Sequence, residues 1–170
     1  MKTAYLGLGS NLGDRHENIT EAVRRLASER LQVKRQSSIW ETEPRDVLDQ
    51  PWFLNQVVEV ETDLFPRQLF QHIQRIEREM GRLKRTPKGP RLIDIDILLY
   101  GSAVVKSPEL EIPHPGMADR RFVLAPLAEL SPDLRHPVLK RTVRELLAEV
   151  ADQSAKKTNL LKPGSPPAAG

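Results

Sequence analysis

The chain contains no cysteine, which excludes disulfides and thiolate zinc sites. No apolar run approaches the roughly 18 residues that cross a bilayer. Met1-Lys2-Thr3-Ala4-Tyr5 enters a β-prone segment without the apolar core of a signal peptide, so a cytoplasmic location is expected and a membrane partner is not. Aromatic residues make up only 5% of the chain. Neither Thr3 to Gly9 nor Phe53 to Thr62 carries the aromatic pattern of an RNA-recognition sheet. Net charge is +3 over 170 residues; the basic excess is local, which argues against a general nucleic-acid binder and suits an anionic small molecule. The P-loop motif is absent, and His16, His72 and His136 show no metal-ligand spacing. There is no internal sequence repeat. At 39% hydrophobic and 29% charged residues, the composition suits one globular domain with a real core.

What is present concentrates in one stretch, Gly89-Pro90-Arg91-Leu92-Ile93-Asp94-Ile95-Asp96-Ile97-Leu98-Leu99-Tyr100. The two-residue strand period puts Ile93, Ile95 and Ile97 on one face and Asp94 and Asp96 together on the other. Carboxylates so spaced suit a hard cation such as Mg²⁺; without one, each would raise the other's pKa. Upstream, Arg82 to Arg91 holds five basic residues in ten and no acid. Either feature alone reads as an exposed edge or a solvated loop. Together they read as a polyphosphate site, the carboxylates holding metal and the loop neutralising charge on the transferring group.

Periodicity organises the rest. Thr3 to Gly9 alternates as a first strand, and Asp14 with Glu17 resembles a capping box before a helix carrying Ile19, Val23 and Leu26. Gln32 to Glu43 reads as one β segment with Val33, Ser37 and Ile39 on one face. Phe53 to Thr62 is a further strand. Pro66 opens a helix whose inner side carries Leu69, Phe70, Ile73, Ile76, Glu77 and Met80, and Gly81 stops it. The order β-α-β-β-α-β predicts an α+β, ferredoxin-like antiparallel sheet with helices on one face. Arg121 to Leu130 and Thr142 to Val150 supply additional C-terminal helices. One domain is expected over 1–150, and a disordered tail over 151–170.

Three further motifs stand out. Gly7-Leu8-Gly9-Ser10-Asn11-Leu12-Gly13 misses the dinucleotide fingerprint by one residue and reads as a tight strand-to-helix turn. Gln50-Pro51-Trp52-Phe53-Leu54-Asn55 offers core packing or a slot for a flat heterocycle, stacked on Phe53 with edge hydrogen bonds from Asn55. Ile112 to Phe122 combines two prolines with His114, Arg120 and Phe122; His114 is either a solvated loop residue or a phosphate donor with Arg120 beside it.

With these blocks in order from about Ala4 to about Leu130, the chain resembles the 6-hydroxymethyl-7,8-dihydropterin pyrophosphokinases of folate biosynthesis. The resemblance implies transfer of the β,γ-diphosphate of ATP to the pterin hydroxymethyl group, release of AMP, and two Mg²⁺ ions. Asp94 and Asp96 match the family's metal-binding aspartates, and with Arg82 and Arg91 they form the implied catalytic set. Gln74, Glu77, Lys84, Arg91, His114 and Arg120 match positions that contact ATP. Thr42, Phe53, Asn55 and Phe122 match positions that hold the pterin, the two phenylalanines sandwiching its ring. The implied partners are these two small molecules, with a monomer as the working unit. The chain departs from the pattern at Lys84 (commonly arginine), Lys88 (commonly aromatic) and Pro115 (commonly tyrosine). A catalytically silent ATP-binding relative, or another metal-dependent nucleotidyl transferase, would share the acidic pair; the product formed separates them.

Overall fold

The computed structural model describes residues 1–43, 51–81, 92–153 and, for the backbone alone, 156–157. Strand β1 (Lys2–Ser10) leads into helix α1 (Arg15–Leu26), with Gly13 at φ 72° in the turn between them. Asp14 caps the helix, its Oδ1 accepting from the Glu17 amide at 3.1 Å. Strands β2 (Leu31–Gln36), β3 (Trp40–Thr42) and β4 (Phe53–Thr62) follow. Helix α2 (Pro66–Glu79) starts on its proline and gives way at Gly81, φ 84°. Then come strand β5 (Asp94–Tyr100), a small hairpin of β6 (Val105–Lys106) and β7 (Glu111–Ile112), helices α3 (Arg121–Leu130) and α4 (Val143–Glu149), and β8 (Lys156–Lys157).

The sheet order is β5-β1-β4-β3-β8, with β2 also paired to β4 and every pairing antiparallel. That is the expected ferredoxin-like arrangement. One face packs on α1 and α2: Leu6, Leu8, Val58, Val60, Ile95 and Ile97 meet Ile19, Leu26, Leu69, Ile73 and Ile76. The other face is not bare. Tyr5, Val57, Leu98 and Leu99 are covered by Val123, Leu124 and Leu127 of α3 and by Val143 and Leu146 of α4. The plan of helices on one face is therefore extended to helix-sheet-helix layers.

One further expectation is corrected, and two more are given detail. The single segment from Gln32 to Glu43 is two strands, because Ser37 interrupts it. Its buried hydroxyl accepts from the Val57 amide at 3.0 Å, a place a ladder carbonyl would otherwise take. Gly7 and Gly9, expected in the first strand and also grouped with the turn that follows it, both lie inside β1, which leaves only the residues after Ser10 to the turn. A Cβ at Gly7 would stand 3.5 Å from the Leu98 side chain, and one at Gly9 would stand 3.2 Å from Asn55 Oδ1. Finally, residues 151–153, at the start of the segment expected as a tail, are described and make defined contacts. The Gln153 side chain accepts from the Arg121 amide at 3.0 Å and donates to the Asp119 carbonyl at 2.7 Å, and β8 pairs with β3.

Strand β5 carries an extra residue. Tyr5 pairs with Leu99 and Leu6 with Ile97, so Leu98 bulges. The alternation shifts by one there, which sends Leu98 and Leu99 to the α3 face and returns Tyr100 to the α1 face.

Candidate active site

Cross-strand register assembles the site on the sheet face that carries α3. Asp94 pairs with Gly9, Gly9 with Asn55, and Asn55 with Trp40, making one row across four strands. The next row joins Asp96, Gly7 and Val57. Strands lie nearly 5 Å apart, so the Asp94 and Asn55 backbones stand roughly 10 Å apart with Gly9 between them; Gly9 adds no side chain of its own, and the Asn55 amide and Phe53 ring lean over it. The α3 cover fades along β5: Leu98 is 1% exposed, whereas the Asp96 side chain is 45% exposed.

One wall is polar and fixed. Asn55 Nδ2 donates to Thr42 Oγ1 at 2.8 Å, with both residues buried. Phe53 pairs with Thr42 one step along the same strands and is half-buried. Opposite stand Asp94 and Asp96. Strand β5 is tied to α2 through Glu77, whose buried carboxylate accepts from the Ile95 amide at 3.0 Å, between the two aspartates. Glu77 thus sets the height of the aspartate strand. Gln74, one turn earlier on α2, is half-buried.

The loop from β7 to α3 supplies the third side. The Ile112–Pro113 peptide bond is cis, and the His114 amide donates to the Leu98 carbonyl at 3.0 Å. The β5 bulge thereby anchors this loop two residues past Asp96. His114 Nδ1 accepts from the Gly116 amide at 3.1 Å, so the ring proton sits on Nε2. Nε2 faces Asp96 Oδ2 at 3.8 Å, a separation longer than a hydrogen bond. Burial, and then the Arg120 charge, push the His114 pKa below 6.5, opposed by Asp94 and Glu111. The group is a neutral N–H donor at pH 7. The Arg120 guanidinium lies 5.8 Å from the Phe122 ring centroid. It also covers Gly116, where a Cβ would come within 2.9 Å of Cζ; only glycine admits that approach.

Among the expected residues, register and loop anchoring bring together Thr42, Phe53, Asn55, Asp94, Asp96, His114, Arg120 and Phe122 around this face. Arg82, Lys84 and Arg91 lie outside the described residues. No cluster of three or more His, Asp or Glu side chains suited to a metal occurs among the described residues. The residues present fit Mg²⁺ nonetheless, because that ion is ordinarily held by one or two carboxylates together with substrate phosphates and water.

Sequence reading missed a second tier. Arg15 Nη1 donates to the Trp52 carbonyl at 2.7 Å and lies 3.3 Å from Glu41 Oε2, with side-chain exposures of 10% and 2%. Asn11, fully buried, donates to the Pro51 carbonyl at 3.0 Å. One signal was available. An arginine at the first position of a helix opposes the helix dipole, and such a residue calls for a specific anionic or carbonyl partner.

The sequence model of the 7,8-dihydro-6-hydroxymethylpterin-pyrophosphokinase family matches residues 5–132. The 2-amino-4-hydroxy-6-hydroxymethyldihydropteridine pyrophosphokinase of Aquifex aeolicus is 39% identical over 163 residues, covering 96% of this chain and 96% of that protein. The folic acid synthesis protein fol1 of Pneumocystis carinii is 41% identical over 155 residues, 91% of this chain but 21% of that protein. The chain therefore spans about a fifth of the length of such longer relatives. A crystal structure of wild-type Plasmodium falciparum HPPK-DHPS with SDX-DHP shares the fold at TM-score 0.68 and 18% identity, covering 89% of this chain and 44% of that one.

Proposed function

From the premise that the chain belongs to the 7,8-dihydro-6-hydroxymethylpterin-pyrophosphokinase family, whose reaction is pyrophosphoryl transfer in folate biosynthesis, we propose that it moves the β,γ-diphosphate of ATP onto the hydroxymethyl oxygen of 6-hydroxymethyl-7,8-dihydropterin and releases AMP. It works on these two small molecules as a cytoplasmic monomer with two Mg²⁺ ions. The observation that carries this reading is the row Asp94-Gly9-Asn55. A carboxylate edge and an amide-hydroxyl edge flank a glycine that contributes no side chain, which lets the Asn55 amide and the Phe53 ring lean over the sheet toward the aspartates.

Thr42 and Asn55 hydrogen-bond the edge of the pterin, and Phe53 and Phe122 bracket its ring. Asp94 and Asp96 hold the magnesium, which when bound neutralises triphosphate charge. His114 donates its Nε2 proton to a phosphate oxygen, and Arg120 adds a fixed positive charge. Gln74, Glu77, Arg82, Lys84 and Arg91 complete the ATP side, Glu77 acting at least in part through β5. No side chain is required as general base, since phosphoryl transfer asks the protein chiefly for alignment and charge neutralisation.

The deciding assay is AMP release from Mg-ATP with and without the pterin, with the product weighed by mass spectrometry. Pterin-dependent AMP together with a diphosphorylated pterin is expected. ADP would overturn the reaction class, and no product despite binding of both ligands would make the chain a silent relative.

A further inference from the structure

We propose that Arg15 is a positioning residue for the pterin slot, holding Thr42 and Phe53 in register through Glu41 and the Trp52 carbonyl. The inference rests on the reading of that slot as the pterin site. Strand β3 ends at Thr42 and β4 begins at Phe53, so both pterin-contacting residues are terminal in their strands. Among the described residues the β3-β4 ladder ends at the Thr42–Phe53 pair. A strand end frays unless something outside the ladder ties it down.

Arg15 does so from α1. Its guanidinium grips both stems at once, Glu41 next to Thr42 and the Trp52 carbonyl next to Phe53, at 3.3 and 2.7 Å. Asn11 adds a parallel tie to the Pro51 carbonyl at 3.0 Å. The strand-to-helix segment after β1 thus reaches across to the β3 and β4 stems, and carries on its β1 side the Gly9 that clears the floor.

The chemistry argues for placement over bulk stability. A buried ion pair costs much of its Coulomb energy in desolvation, and an apolar pair of similar size often serves the fold equally well. What the apolar pair lacks is direction. A single guanidinium nitrogen, Nη1, serves both the Glu41 carboxylate and the Trp52 carbonyl, its two N–H bonds held at a fixed angle in the guanidinium plane, and thereby ties two chain segments separated by more than ten residues. Glu41 faces away from the slot while Thr42 faces into it, because alternate residues of a strand point to opposite faces. The clamp therefore acts from behind the wall, without touching substrate.

The test compares wild type with Arg15→Lys, Arg15→Ala and Glu41→Gln, reading kcat, both KM values and direct pterin binding by calorimetry. Arg15→Ala is expected to raise the KM and Kd for pterin on the order of 10-fold, leave the KM for ATP within about twofold, and lower kcat little. Lysine keeps a charged N–H donor but on a shorter stem and without the planar group that fixes the angle between the two N–H bonds, so Arg15→Lys should fall between alanine and wild type. Equal rises in both KM values, or unchanged pterin binding in a folded variant, would overturn the proposal. Should Arg15→Ala fail to fold, the same criteria apply to Arg15→Lys and Glu41→Gln, which remove less. Wild type that binds no pterin would instead overturn the assignment of the slot itself.

Discussion

Replacing Gly9 with alanine separates the stability of the fold from the service of the site. The added Cβ would lie 3.2 Å from Asn55 Oδ1, 3.6 Å from Phe53 Cδ1 and 3.8 Å from the Leu54 carbonyl. Only the first contact is tight, and the amide must yield by a few tenths of an ångström. It cannot do so for nothing, because Asn55 Nδ2 is held by Thr42 Oγ1 at 2.8 Å in a buried position. Straining or breaking that bond costs about 0.5–1.5 kcal/mol. Against this, alanine in place of glycine in a strand gains about 0.5–1 kcal/mol by restricting the unfolded chain. Net stability should stay within about 1 kcal/mol of wild type, a shift of a few degrees in Tm. The site receives no such offset: the amide proposed to meet the pterin is displaced. With 1.4 kcal/mol equal to tenfold, the pterin KM should rise about 3- to 10-fold at nearly constant KM for ATP. Differential scanning fluorimetry and steady-state kinetics on one preparation check both halves. An unchanged pterin KM would refute the floor role of Gly9. So would a large drop in Tm with both KM values rising together.

Three other outcomes follow from the same geometry. Asp96→Ala should abolish AMP release while leaving pterin affinity, by calorimetry, largely intact; near-normal turnover at ordinary Mg²⁺ would refute the metal assignment. Thr42→Val keeps the shape but leaves the buried Asn55 amide without this acceptor, and should cost about 1–3 kcal/mol in chemical denaturation. Burial pushes the His136 pKa below its ordinary 6.5, and its Nδ1 accepts from the Val138 and Leu139 amides, a role only the unprotonated nitrogen can play. The unfolded chain then binds the proton first, so stability is fully present above about pH 6.5 and falls as pH drops below it. His114 is depressed in the same direction. A His136→Gln variant should therefore flatten the acid limb of stability against pH without abolishing it, and an unchanged slope would count against the assignment.

Much of the fold was legible because it is locally encoded. Phe53–Thr62 and Arg121–Leu130 have the bounds that alternation and helical spacing suggest, and Pro66 and Gly81 punctuate α2 as their backbone chemistry dictates. What was not legible depends on partners distant in sequence. Ser37 splits a β-prone run only because Val57, twenty residues on, presents an amide to its hydroxyl. Leu98 looks like an ordinary strand residue until its pairing with β1 shows the bulge. Gly7 and Gly9 suggest a turn by composition, yet their meaning is the space they leave under Leu98 and Asn55. The site was legible as residue types, Asp94 and Asp96 above all. Their position opposite Asn55 required knowing that β1 lies between β5 and β4. The Arg15–Glu41 pair spans 26 residues and left only its misplaced charge at a helix start as a trace.

The pairing of β8 with β3 has a bearing on encounters between molecules. The outermost strand of a sheet offers unmatched N–H and C=O groups to any extended segment that reaches it, and chains with such rims stick to one another. Here the chain's own Lys156–Lys157 occupies the place opposite Trp40 and Glu41, so the rim a neighbour would meet there is β8, two residues long and both of them lysine. A version cut before Lys156 uncovers the β3 rim and gains a concentration-dependent route to strand exchange with its copies. Shielding of β3 is in this way assigned to a two-residue strand near the end of the described chain.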